Sequence, residues 1–419
     1  MLTAAPTMLD ALSSTAIPIY NNLKILVAEC LAEERSFDDA VNGFSSVPPS
    51  LSRLQSRAKS LGVWNLFMTH RKGITVHDYA LMSELQGTAY LAPYATNCAA
   101  PDSGNMEVLE EFGTRAQKER WLGPLMEGDM RSAFLMTEPD VASSDARNVC
   151  TAFERATRDG VEGYVVSGRK WWSTGAQDPR CGLLVVLGKV MEPGGEAQKG
   201  HTVLLVPRGA AGVKIVRPLT VFGYDDAPFG HAEIELDGVF VPRDEALVLE
   251  EGAGFKIAQA RLGPGRIHHC MRAIGMARRC FDLMVERTLQ REVFGRVMAR
   301  HGMAQEKIAL GKARLAQARA IVLLCADRID RVGAKEARGD ISMIKYAVPN
   351  LLLPILDDAI QVHGGMGVCD DTILARAYAN MRTLRIADGP DEVHMMVVAR
   401  EECRAAMKRA GVDIPRSKL

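Results

Sequence analysis

The chain has 419 residues, 47% hydrophobic and 24% charged, an ordinary globular composition whose length points to two or three domains. Its 51 basic and 51 acidic side chains cancel, so neither a basic stripe for nucleic acid nor an acidic tail is expected. No apolar run approaches the roughly 18 residues of a membrane span, and nine scattered cysteines without a C-x-x-C pair argue for a reducing, cytoplasmic setting over a disulfide framework or structural zinc.

The start of the chain carries Asp10 and no Lys or Arg before Lys24, which fits neither a signal peptide nor an Arg-rich transit peptide. Over residues 1–130 the pattern is helical: SLSRLQSRAKSLGVW and HDYALMSELQG place apolar residues three and four apart, and TRAQKERWLGPLMEGDM continues until Gly123 and Pro124. The period then changes. GYVVSGRKWW, CGLLVVLGKV, HTVLLVP, GVKIVRPL and HAEIELDGVFVP are short, rich in Val and Ile, and separated by Gly and Pro turns. They predict a small antiparallel barrel or sandwich over 131–244. From about Gly254 the helical period returns and predicts a four-helix bundle over 245–419. Ile267, Met271, Ile274, Phe281 and Met284 form one apolar stripe; Ile308, Leu315, Val322 and Ile329 form another at seven-residue spacing. A third segment, Ile341 to Val362, contains Pro349 and Pro354 and should kink there. A fourth runs from about Thr372 to Leu384. The fold class is therefore mixed α and β, in three successive parts.

Four stretches bear on chemistry. FLMTEPDVASSDARNV, residues 134–149, puts small polar residues where backbone amides can approach a ligand, or where a Ser-rich turn caps a helix. RKWWSTGAQDP, residues 169–179, sets two tryptophans beside two hydroxyls, a flat wall suited to a planar ring or to plain aromatic packing. QVHGGMG, residues 361–367, offers close backbone approach or a simple helix end. LRIADGPDEVH, residues 384–394, sets Asp388 between an apolar run and Gly-Pro; by itself this is a helix-ending turn. His268 and His269 of IHHC are adjacent, so a helix points them apart; they read as structural or substrate-lining rather than as metal ligands.

In this order, MTEP…SSD, KWWSTG, GPGR, REVFG and QVHGGMG followed by ADGPDE resemble the landmarks of the acyl-CoA dehydrogenase family, over about residues 50 to 405. MTEPDVASSDA, KWWSTGAQDPRC and RIADGPDEVH are similar to the subgroup that in eukaryotes follows a kinase-like domain. The resemblance implies FAD held between barrel and bundle. It implies that Met136, Thr137, Trp172, Ser173 and Thr174 contact the flavin, with the Thr174 hydroxyl at the nitrogen that accepts hydride. It implies an adenine end completed by a neighbouring subunit through Arg291, Phe294, Gly295, Gln361, Gly364 and Gly365, hence a homodimer or homotetramer. Ser144 would border the acyl-CoA channel and the cofactor, Gly389 would let the acyl chain pass, and Pro390 and Glu392 would continue the cofactor contact. Arg266 matches an arginine buried behind the catalytic loop.

Asp388 falls where common members of the family carry a catalytic glutamate. Desaturation removes a proton α to a thioester and a hydride from the β carbon, so a base is needed, with an apolar flank to raise its pKa. Ile386 and Ala387 provide such a flank. Aspartate is shorter than glutamate by about 1.5 Å. A second family arrangement places the base immediately before the arginine of GPGR; here that position is Gly265, which leaves Asp388 as the candidate. The implied activity is an acyl-CoA dehydrogenase that passes electrons to an electron-transfer flavoprotein. Two alternatives share the fold: a nitroalkane oxidase-like enzyme with an aspartate base, and a DNA-binding flavin protein, against which the zero net charge argues.

Overall fold

The computed structural model describes residues 11–198 and 200–411, without the side chains of 262–264. Part of the N-terminal stretch read for targeting signals, and Gly263 and Pro264 of GPGR, therefore lie outside the description. Helices α1 (Ala16–Ala40), α2 (Pro49–Ser60), α3 (Val76–Gly87) and α4 (Asp102–Phe112) come first. Seven strands follow: β1 (Arg131–Leu135), β2 (Ala152–Arg158), β3 (Val161–Thr174), β4 (Cys181–Met191), β5 (Thr202–Pro207), β6 (Val213–Leu219) and β7 (His231–Pro242). The chain closes with α5 (Gly254–Gln290), α6 (Gly302–Val332), α7 (Arg338–His363), α8 (Leu374–Thr383) and α9 (Asp391–Ala410). Among the described residues no helix is long and apolar enough to cross a membrane.

The chain groups into two compact units. One takes the chain up to Leu31, Thr69–Ala92 and everything from Arg266 onward; the other takes Ala32–Met68 and Pro93–Gly265.

The first unit is helical. The α5 stripe of Ile267, Met271, Ile274, Phe281 and Met284 is buried with Leu315, Ala318, Val322, Cys325 and Ile329 of α6 and with Ile344, Val348, Leu352 and Leu356 of α7. The heptad spacing of α6 is thus a core seam. The fourth predicted segment is the ten-residue α8, and a further helix of 20 residues, α9, lies along α7. Helix α7 runs unbroken through Pro349 and Pro354. Helix α3 starts on a reciprocal cap: the Thr75 hydroxyl accepts from the Asp78 N–H and the Asp78 carboxylate accepts from the Thr75 N–H. It meets α5 at paired glycines. A Cβ on Gly275 would stand 2.0 Å from the Glu84 carbonyl oxygen, and one on Gly87 would stand 2.1 Å from that of Arg272.

The second unit holds the sheet, ordered β1-β4-β2-β3-β7-β6, with β5 on β4. The five strands read from sequence are β3 to β7. Strand β2, AFERATR, was hidden by its polar composition; apart from Phe153 it is largely exposed or half-buried. Most pairings are antiparallel, but β1 and β2 each run parallel to β4. The chain reverses from β2 to β3 and again from β3 to β4, so β4 regains the direction of β2. Phe153, Tyr164, Val166, Leu184, Val186, Leu204, Ile234 and Val239 make the core.

A buried ion pair fastens this sheet. Lys170 of β3 is fully buried, and its Nζ donates to Glu138 Oε1 at 2.9 Å, to the Met136 carbonyl at 3.0 Å and to the Leu187 carbonyl at 2.7 Å. Glu138 also accepts from the Cys150 N–H and from the Thr151 N–H and hydroxyl. Burial pushes the Lys170 ammonium down to about 8, against the pull of Glu138. For Glu138 burial acts upward, but Lys170 and Thr151 outweigh it and hold the carboxyl below its usual value. The pair fixes both ends of the loop that joins β1 to β2.

Gly275→Ala should destabilise the protein by about 3 kcal/mol, because backbone rather than a flexible side chain blocks the new methyl; an unchanged urea midpoint would show that the α3–α5 approach is not tight. Lys170→Met should cost about 3–5 kcal/mol by stranding Glu138, and Lys170→Met combined with Glu138→Leu should regain most of it. Chemical denaturation of the single and double variants measures both terms.

Candidate active site

Asp388 sits in the turn between α8 and α9. Two successive left-handed residues make the turn, Asp388 at φ 55° and Gly389 at φ 101°. Aspartate tolerates that region, and glycine is required next to it, since a Cβ on Gly389 would lie 2.8 Å from His394 Nε2. Donors from three helices grip the main chain. Arg266 Nη2 donates to the Asp388 carbonyl at 3.3 Å, and His394 Nε2 lies 3.2 Å from the same oxygen. Lys345 Nζ donates to the Leu384 carbonyl and, at 3.4 Å, to that of Gly389. The Asp388 side chain is left 29% exposed, with His269 Nε2 3.5 Å from Oδ2.

The electrostatics follow from burial. Desolvation lowers the pKa of Arg266, partly offset by Asp388, and lowers that of Lys345. Desolvation, with Arg266 adding to it, drives His394 down to about 4, so its ring is neutral near pH 7. A neutral ring facing a carbonyl through Nε2 carries its proton there, and its buried Nδ1 has no partner among the described residues. Asp391 takes Arg385 Nε at 2.7 Å and Asn350 Nδ2 at 2.9 Å through one oxygen, so it serves the turn. Glu392 is exposed one residue later.

In the sheet unit, Met136 and Thr137 leave β1 and are tied to β3: the Thr137 carbonyl accepts from the Trp171 N–H at 3.0 Å. The β3–β7 register slips between Lys170 and Ser173. Trp172 occupies this bulge at φ 51°, and its ring is turned outward, 40% exposed. Thr174 regains the register opposite His231. Its hydroxyl lies 2.9 Å from His231 Nδ1, and His231 Nε2 lies 3.2 Å from Asp226 Oδ2. Ser144 is exposed in the β1–β2 loop, where its neighbour Ser143 accepts from the Glu138 N–H at 3.0 Å.

Arg291, Phe294 and Gly295 belong to the hairpin Glu292–Val293 and Arg296–Val297, with the Phe294 ring 99% exposed at its tip. Gln361, Gly364 and Gly365 are exposed where α7 ends. Among the described residues neither the Arg291 guanidinium nor the Gln361 amide has a hydrogen-bonding or ionic partner. The structure thus gathers Arg266, Asp388, Gly389 and Pro390 at one turn. It gathers Met136, Thr137, Trp172, Ser173 and Thr174 at one strand end. Sequence reasoning missed Lys345, His394 and His231, and read His269 only as structural or substrate-lining. One signal existed for His269: it lies three residues after Arg266, on the same helix face. His268 points into the core, edge-on to Tyr79 at 4.5 Å, and burial holds its pKa far below normal.

The acyl-CoA dehydrogenase C-terminal domain model matches residues 252–402, and the middle domain model matches residues 133–239. The chain is 48% identical over 398 residues to a Mycobacterium tuberculosis protein named probable acyl-CoA dehydrogenase FadE2, covering 94% of this chain and 96% of that one. It is 47% identical over 368 residues to acyl-CoA dehydrogenase family member 11 of Gallus gallus, covering 88% of this chain and 47% of the relative, so it spans about half that relative's length. A solved Mycobacterium abscessus structure bearing the acyl-CoA dehydrogenase name superposes with a TM-score of 0.87 at 40% identity, over 94% of this chain and all of that one. A Mycobacterium smegmatis glutaryl-CoA dehydrogenase in complex with FADH2 shares the fold, with a TM-score of 0.77 at 20% identity over 93% and 95% of the two chains. With its sheet region and its C-terminal helices both matched, and a relative of nearly equal length at close to half identity, the chain belongs to the acyl-CoA dehydrogenase family.

Proposed function

We propose that the protein is an FAD-dependent acyl-CoA dehydrogenase that desaturates an acyl-CoA thioester between its α and β carbons, with Asp388 as the base. The observation that carries this reading is the way the turn is held. A carboxylate locked in an ion pair has little proton affinity left for catalysis. Arg266 and His394 engage the Asp388 carbonyl and Lys345 that of Gly389, so the backbone is fixed, while the carboxylate, with His269 Nε2 3.5 Å from Oδ2, stays partly exposed. Thioester α protons are weakly acidic, so proton removal by a carboxylate also needs stabilisation of the developing enolate oxygen. Ser144 and Gly389 are the proposed borders of the acyl-CoA path.

The family cofactor is FAD, and the residues fit it. Among the described residues the Trp171 indole N–H and the Ser173 hydroxyl are buried without a partner, on either side of the outward Trp172 ring. Buried orphans of this kind call for a group that the protein itself does not supply. Met136, Thr137, Trp172, Ser173 and Thr174 would hold the ring system. Arg291, Phe294, Gln361, Gly364, Gly365, Pro390 and Glu392 would hold the remainder. Bound FAD supplies the acceptor for the two electrons that leave the β carbon, and an electron-transfer flavoprotein is the proposed partner that takes them on. A fully exposed Phe294 at the hairpin tip and an Arg291 guanidinium without a partner among the described residues at its base support a second copy of this chain at the adenine end, hence a homodimer or homotetramer.

Asp388→Asn should keep FAD and lose about a thousandfold in desaturation. Anaerobic titration of the yellow protein with acyl-CoAs of rising length reads this as loss of flavin bleaching; near-normal bleaching in the variant would remove Asp388 from the chemistry. Arg291→Glu should weaken FAD retention at least about tenfold, the cost of losing a charged hydrogen bond. FAD content after gel filtration measures it, and full occupancy would place the adenine end elsewhere.

A further inference from the structure

Three side chains at the end of the sheet form one hydrogen-bonded line. Asp226 Oδ2 lies 3.2 Å from His231 Nε2, and His231 Nδ1 lies 2.9 Å from the Thr174 hydroxyl. The line is built into the fold, since Thr174 and His231 are cross-strand partners on β3 and β7. It is also sheltered, with His231 and Asp226 each 19% exposed. The His231 ring lies 5.6 Å from the outward Trp172 ring. The turn, the base and the Lys170 pair make no use of it.

The order of atoms fixes the hydrogens. An ionised carboxylate only accepts, so the imidazole nitrogen facing Asp226 must carry a hydrogen. In the neutral ring the other nitrogen, Nδ1, then offers a lone pair, and the Thr174 hydroxyl donates to it. A threonine hydroxyl has one hydrogen. Once that hydrogen is committed to His231, the oxygen presents only lone pairs to anything beside Trp172.

We propose that His231, held by Asp226, is a positioning residue that turns the Thr174 hydroxyl into a pure acceptor, and so biases the site toward reduced FAD. The proposal rests on the placement of Thr174 beside the flavin given above. Oxidised flavin has a lone pair at N5 and nothing to donate there, so two acceptors would face each other. Reduction adds two electrons, from the acyl substrate or a chemical reductant, and one proton at N5. N5–H then donates to Thr174. Without His231 the hydroxyl rotates freely, donates to the oxidised ring, and the bias is lost.

The test is the midpoint potential of the bound flavin in intact holoenzyme, measured against an indicator dye at pH 8, above the ordinary imidazole range. His231→Phe removes the acceptor without changing formal charge. It should lower the preference for reduced over oxidised FAD about tenfold, the worth of one hydrogen bond, which is a fall of ~30 mV for a two-electron couple. FAD content should be unchanged, and the fall should be absent when His231→Phe is made on a Thr174→Val background. Asp226→Asn keeps the imidazole but frees its tautomer, and should also lower the midpoint only when Thr174 is present; loss of negative charge acting by itself would raise it. A shift that persists without the Thr174 hydroxyl, or a rise in His231→Phe, overturns the proposal. If Thr174→Val moves the midpoint and His231→Phe does not, the inference alone fails. If Thr174→Val changes neither the midpoint nor the flavin spectrum, the placement of Thr174 beside the flavin fails, and the inference falls with it.

Discussion

The constraint on which the chemistry proposed for the helical unit depends is the grip of buried donors on main-chain oxygens between Leu384 and Gly389. Helix α8 ends there; the carbonyls of Met381, Arg382 and Thr383 accept from N–H groups of the next turn, which leaves those of Leu384, Asp388 and Gly389 to side-chain donors. Lys345 satisfies Leu384 and reaches Gly389, while Arg266 and His394 converge on Asp388. Burying Arg266 and Lys345 this deeply is costly, and the lowered pKa of each records that cost. What offsets it is a set of carbonyl dipoles, with Asp388 and Asp391 close by. A carbonyl holds a cation without being consumed as a base. The same two cations bound directly to the Asp388 carboxylate would give a stronger ion pair and a poorer proton acceptor.

The sheet unit solves the matching problem with a different device. The residues proposed to face the flavin come from a loop after β1 and from a bulge at the end of β3, both of which would wander if left alone. Lys170 joins them, because one ammonium reaches the Met136 carbonyl, the Glu138 carboxylate and the Leu187 carbonyl together. The bulge then frees Trp172 from the pleat without disturbing Thr174, which is back in register with His231 two residues on. Stiff strands on either side of the bulge let one ring face outward while Ser173 beside it stays buried and Trp171 half-buried.

Much of this was legible in the sequence, and the gaps have a common cause. The seven-residue spacing from Ile308 to Ile329 and the Val-rich runs of β3 to β7 are local patterns, and local patterns survive in a single sequence. The motif order carried the family and the candidate residues in the same way, because each landmark is a short run. Strand β2 escaped because AFERATR carries little apolar alternation. The parallel pairing of β4 escaped because register between distant strands leaves no mark on either one. His231 opposite Thr174 is the clearest case: 57 residues separate them, and only the β3–β7 alignment brings imidazole to hydroxyl. Lys345 and His394 escaped for the same reason, since a lysine inside a helical stripe and a histidine after a turn look solvent-facing until their neighbours are placed. His269 is different. Its spacing from Arg266 was visible, and so was the divergence of the two rings; what the sequence does not carry is that one turns inward to Tyr79 and the other toward Asp388, since Asp388 lies far along the chain.

An aspartate in the proposed role of base has a physical rationale in the same geometry. Glutamate has one more rotatable bond than aspartate, and each rotor fixed on forming a reactive arrangement costs entropy. The proposed base, Asp388, sits on a left-handed residue with its carbonyl held from two sides and its carboxylate beside the His269 imidazole, and so has little freedom left to lose. The aspartate gives up about 1.5 Å of reach and in return leaves one fewer rotor to be ordered. Which of the two wins depends on where the backbone stands. At Asp388 the carbonyl is held by both Arg266 and His394, so main-chain hydrogen bonds as well as the length of its own side chain set where the carboxylate stands.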